Sequence, residues 1–112
     1  MKVIPTERFK KDVKYYICKK KYKNILSDIK SVVVELEAGN FIGDEFEDIS
    51  VDGRAFKVRA ANSSAKVGKS NGFRIIYYVV QDDKVYLLTI YSKKDDVKIP
   101  TDNEIKDLIR KI

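Results

Sequence analysis

Lys57 and Arg59 flank one valine in the alternating run Phe56-Lys57-Val58-Arg59-Ala60. In an extended strand both side chains leave the same face, while Phe56 and Val58 leave the other. Arg74 opens a second run rich in Phe, Ile, Tyr and Val, and Tyr91 and Lys93, two apart, close a third. If the three runs are neighbouring strands, two guanidiniums, two ammoniums and a phenol line one cleft. Such a cleft suits a phosphodiester, because guanidiniums fork onto phosphate oxygens and ammoniums serve as point charges or proton carriers. Taken singly, each strand lysine or arginine is more usually a solubilising or edge residue, and Tyr77, Tyr78, Tyr86 and Tyr91 are more usually packing residues. The combination, rather than any one member, points to chemistry.

Other chemistries are narrowed by composition. The chain of 112 residues has no histidine and one cysteine, Cys18. That leaves no internal disulfide, no ordinary Cys/His zinc site and no Cys-His nucleophile pair, and no cofactor is expected. The apolar runs fall far short of the roughly 20 residues of a membrane span. The opening Met-Lys-Val-Ile-Pro-Thr-Glu has neither an apolar signal core nor a cleavage site, so a cytoplasmic protein is expected. The net charge is +6, and it is unevenly distributed. Residues 1–52 carry ten basic and ten acidic side chains and residues 82–112 seven of each, whereas residues 53–81 carry six basic and no acidic ones. Segregation of this kind predicts a surface for a polyanion within 53–81. Arg54, Lys66 and Lys69 are the expected polyanion contacts there, outside the five residues of the cleft. Lys19, Lys20 and Lys21, in the balanced N-terminal half, are expected to matter much less.

The elements that must position these residues follow from periodicity. Lys2–Ile4 can form a short strand. Pro5-Thr6 signals a helix start, and Phe9, Val13, Tyr16 and Ile17 recur at helical spacing to about Lys20. Ile25, Leu26, Ile29, Val32, Val33 and Leu36 give a second helix that stops at Gly39-Asn40, so the two form a hairpin. From Gly53 the period becomes two, with three strands in turn. Asp82-Asp83 reads as a two-residue hairpin connection between the last two. Asn62–Asn71 reads as a long, polar, basic loop. Thr101-Asp102-Asn103-Glu104 is a capping box for a short last helix carrying Ile105, Leu108, Ile109 and Ile112. One α+β domain over 1–112 is expected, an N-terminal helical hairpin packed on an antiparallel sheet with the other sheet face open.

Three segments together resemble the RelE/ParE toxin superfamily, closest to its HigB-like branch. They are Phe56-Lys57-Val58-Arg59, the stretch Gly68 to Tyr78, and Tyr86-Leu87-Leu88-Thr89-Ile90-Tyr91-Ser92-Lys93. The resemblance is best from about Gly43 to Asp96 and is weaker over the helices. It implies a RelE-like, microbial-RNase-like fold and an endoribonuclease that cleaves mRNA on the ribosome by metal-independent attack of the 2′-hydroxyl on the adjacent phosphate. It implies basic active-site residues at Lys57, Arg59 and Lys93 and a phosphate-binding arginine at Arg74. It also implies a helix-turn-helix, HigA-like antitoxin as partner. The family's catalytic tyrosine falls several residues past Lys93, where this chain has Ile99, and Tyr91 is the candidate substitute.

Ribonuclease action needs one group to accept the 2′-proton, another to protonate the departing 5′-oxygen, and positive charge on the phosphorane. Clustered lysines can supply all three, since repulsion and desolvation lower an ammonium's pKa, which makes Lys57 a candidate base. Arg74 is expected to be an exposed strand-start residue, so that its removal spares the fold. Two alternatives stand beside the nuclease. One is a ParE-like toxin that inhibits gyrase without nuclease chemistry. The other is a non-catalytic RNA- or ribosome-binding module, whose open face would interleave aromatic with basic residues.

Overall fold

The computed structural model describes residues 1–47, 49, 52–95 and 98–112. Their order is β1 (Lys2–Pro5), α1 (Glu7–Cys18), α2 (Ile25–Glu37), β2 (Asp44–Glu45), β3 (Arg54–Ala60), β4 (Phe73–Val80), β5 (Lys84–Ser92) and α3 (Asp102–Arg110). Thr6 caps α1, its side chain accepting from Phe9 N at 3.4 Å. Along α2, Ile25, Ile29, Val32 and Leu36 are buried at helical spacing. That buried stripe outweighs the poor helix propensity of Val32-Val33-Val34. Past its end Gly39 takes the left-handed conformation, φ 83°.

The sheet has the order β1-β5-β4-β3-β2. It is mixed, not antiparallel as the sequence led us to expect, because β1 lies parallel to β5 with Val3 beside Val85. A parallel neighbour must be reached by a crossover, and the helical hairpin together with β2–β4 supplies it. A run as short as Lys2–Ile4 carries no signal of direction. β2, only two residues long, was not anticipated. The β4–β5 connection is Gln81-Asp82-Asp83 rather than two residues, with Asp83 left-handed at φ 58°. That is the three-residue hairpin geometry, in which the last loop residue turns left-handed.

Helices α1 and α2 cover one face, where Phe9, Tyr16, Ile25, Leu36, Phe56, Phe73, Tyr77 and Leu87 share a core. The second face is not open throughout. α3 lays Ile105 and Ile109 on it against Ile76, Tyr78 and Leu88. The Thr101–Glu104 capping box is present. Register shifts between Ile76 and Tyr77, so that Leu88 becomes the extra residue of a bulge.

Candidate functional site

The pairing of the three long strands assembles the site. Arg59 stands opposite Arg74 on β4, and Arg74 stands opposite Tyr91 on β5. The three form one row across adjacent strands, on the face away from α1 and α2. Lys57 lies two residues along β3, opposite Ile76. Its ammonium sits over the Phe46 ring, 6.0 Å from the centroid. Gly43 lets the chain before β2 run close against the β3 backbone: its φ is 102°, and a Cβ there would lie 2.4 Å from Lys57 O. Lys93 is exposed in the turn after β5, with its N–H on Gly72 O at 3.0 Å. Gly72 is held against β3 so closely that a Cβ would meet Ala60 O at 2.2 Å.

Two guanidiniums facing each other across a strand pair repel, and the fate of Arg74 explains how the pair is tolerated. Its Nη1 donates to Lys69 O at 3.1 Å and Phe73 O at 3.2 Å, and its Nη2 donates to Ser70 O at 3.0 Å. The carbonyl dipoles offset its charge, and Arg59 stays exposed. Arg74 is therefore not the exposed strand-start residue expected: it is 7% exposed and pins the Lys69–Asn71 turn. Three of a guanidinium's five N–H groups are engaged, and two remain for a ligand. Burial, and then the neighbouring Arg59, lower its pKa. Burial raises that of Tyr91, with Arg74 partly opposing. At neutral pH the Tyr91 phenol therefore keeps its proton and is a poor acceptor of another.

Compared with protein-family models and with curated proteins, the chain matches none.

Not every predicted residue joins the row. Arg54 faces the helix-covered side, where its guanidinium lies 5.0 Å from the Phe56 centroid and 2.8 Å from Glu45 Oε1. Arg54 draws the Glu45 carboxyl below its usual range. It also starts β3 at the end opposite Arg59, five residues or roughly 17 Å away. Both facts place it apart from the Arg59–Arg74–Tyr91 row. The odd spacing from Arg54 to Lys57 and Arg59 would have placed it on the other face from sequence alone. Lys66 and Lys69 are exposed on the loop beside the row, Lys66 with a left-handed φ of 58°.

Two helical residues, Asp12 and Tyr16, had no signal in the sequence. β1 pairs with β5 only as far as Leu87, which leaves the rest of that edge uncovered. There Asp12 Oδ2 accepts from Ile90 N at 3.2 Å and from the Thr89 hydroxyl. Tyr16 Oη accepts from Ser92 N at 2.8 Å and donates to Asp95 Oδ2 at 3.3 Å. One turn of α1 thus holds the strand end on which Tyr91 and Lys93 stand. Burial raises the Tyr16 pKa.

Proposed function

We propose that this chain is the toxin of a type II toxin–antitoxin pair, a RelE/HigB-like endoribonuclease that cleaves mRNA, ribosome-dependent and cytoplasmic. The observation that carries the reading is the row Arg59–Arg74–Tyr91 on three adjacent strands, flanked by Lys57 and Lys93. Arg59 and the two remaining N–H groups of Arg74 hold the scissile phosphate and the charge that develops on the phosphorane. The Tyr91 phenol protonates the departing 5′-oxygen. Acceptance of the 2′-proton then falls to a lysine, Lys57 or Lys93. The RelE-like identity of the fold belongs to this same reading. It is supported by a helical hairpin on one sheet face, a short last helix on the other and the basic row at one sheet end.

Induced expression should arrest growth and create new mRNA 5′ ends. Arg59→Ala, at an exposed residue without a structural bond among the described residues, should abolish both at unchanged protein level. Co-expression of an adjacent helix-turn-helix, HigA-like gene product should restore growth and co-purify. Unaltered growth and an intact 5′-end map on expression of the wild-type chain would overturn the nuclease.

A further inference from the structure

Averaging charge over residues 1–52 conceals a sharp division. Residues 1–30 hold ten basic and three acidic side chains, and residues 31–52 hold seven acidic and no basic ones. Of the basic ones, Lys19, Lys20, Lys21 and Lys23 fall in the α1–α2 turn, and all four are exposed. The tertiary structure brings that turn to the end of the sheet where the Arg59–Arg74–Tyr91 row lies. Asn24 N donates to Ser64 Oγ at 2.8 Å, joining the turn to the basic 62–72 loop. The Tyr22 ring packs edge-on against Phe73, 5.9 Å between centroids. Phe73 immediately precedes Arg74, and Lys93 N bonds Gly72 O. Exposed lysines of three segments therefore meet at one end, with Lys66 and Lys69 from the loop and Lys93 and Lys94 from the turn after β5.

Two half-buried carboxylates described there are engaged by hydrogen-bond donors. Asp28 accepts from Ser63 N and Oγ at 3.0 and 3.1 Å, and Asp95 accepts from Tyr16. The opposite end carries both signs. There Asp52, Asp82 and Asp83 stand with Lys2, Lys84 and the N-terminal ammonium, which donates to Glu37 O. Positive charge is thus in excess at one end of the strands.

We infer that the α1–α2 turn is a second nucleic-acid contact, in which Lys19, Lys20, Lys21 and Lys23 hold the phosphate backbone of an RNA segment flanking the one in the Arg59–Arg74–Tyr91 row. The inference rests on the reading that the chain acts on RNA, and it departs from the charge map along the sequence, by which Lys19, Lys20 and Lys21 were expected to matter much less. Lysines make point-charge contacts that position a backbone without reading bases. A membrane surface fits less well. An interfacial helix buries an apolar face in the bilayer, whereas the apolar face of α1, Phe9 and Tyr16, is already in the core.

The test is binding of the full chain to an oligouridylate across a salt series. The variant Lys19→Gln/Lys20→Gln/Lys21→Gln is compared with Lys2→Gln/Lys84→Gln, whose two lysines sit at the opposite end. Each single-strand phosphate contact adds about 0.7 to the log–log salt slope. The triple variant should therefore flatten the slope by about 2 and weaken binding about 100-fold at 0.1 M salt relative to 1 M. The double variant should leave the slope at the wild-type value. Cleavage sites on RNA should not move. An unchanged slope in the triple variant overturns the inference, as does tighter binding to phosphatidylserine vesicles than to RNA through the same lysines. A wild-type chain that binds with the steep slope yet cuts nothing leaves the inference standing and removes the nuclease. A chain that cuts RNA while the triple variant keeps its slope does the reverse.

Discussion

Arg74 and Arg59 face each other and differ in kind. Arg59 is exposed and has no structural bond among the described residues, whereas Arg74 is buried and ties two carbonyls of the turn before it and that of Phe73. The two alanine variants should therefore separate. Arg74→Ala strands those carbonyls and should lower unfolding free energy by about 1–3 kcal/mol, read by urea denaturation. Arg59→Ala should change stability by less than about 0.5 kcal/mol while removing activity. Equal stability losses would show that Arg74 does not anchor the turn. Tyr91→Phe removes only the hydroxyl, so the ring keeps its place in the cluster it shares with Ile76, Leu88 and Ile105. Cleavage should fall by about 10²–10⁴ if the phenol is the proton donor. Normal cleavage would assign both proton transfers to lysines.

At the scale of elements, α1 acts as the missing neighbour of β5. A sheet edge presents unpaired N–H groups, and the part beyond Leu87 is satisfied by Asp12 and Tyr16, one helical turn apart. Tyr16→Phe leaves the ring in place but removes the acceptor for Ser92 N. Amide hydrogen exchange should then rise at Ser92 while Ile90, held by Asp12, stays protected. Cleavage should drop with it, because the turn bearing Lys93 loosens. Unchanged exchange at Ser92 would mean that the strand end needs no clamp. The last helix depends on its cap, Thr101 accepting from Glu104 N at 3.2 Å. Thr101→Ala should cost about 1 kcal/mol, read as an earlier thermal midpoint.

For the whole molecule, burial raises the pKa of Tyr16, Tyr77 and Tyr91 together. A phenol whose folded value lies above its unfolded value stabilises the fold fully below the unfolded value, about pH 10. That contribution is lost as pH rises through the folded one. Stability should be flat with respect to these groups through neutral pH and fall steeply above about pH 10. Tyr77→Phe should make the fall shallower, seen in urea midpoints measured from neutral to strongly alkaline pH. The polar charge distribution acts at the same scale. It turns the basic end toward a polyanion before contact, so association should slow as salt rises.

Much of the frame was legible because it rests on local physics. Periods of 3.6 and 2, the Thr6 and Thr101 caps and the left-handed Gly39 depend on residues near in sequence, and they set two helices, three strands and the last helix close to where they lie. Alternation along β3 likewise put Lys57 and Arg59 on one face. The RelE-like identity, the nuclease and the antitoxin remain with the proposed reading. Direction and neighbourhood were not legible. The parallel alignment of β1, the cover of α3 over the second face and the closing of the β5 edge by Asp12 and Tyr16 arise between segments distant in sequence. No periodicity encodes such contacts. Charge shows the same divide. Its total is a property of composition, but whether Lys19–Lys23 stand beside Arg59 or away from it is decided by which loops meet at the end of the sheet, and Coulomb interactions depend on distance in space rather than along the chain.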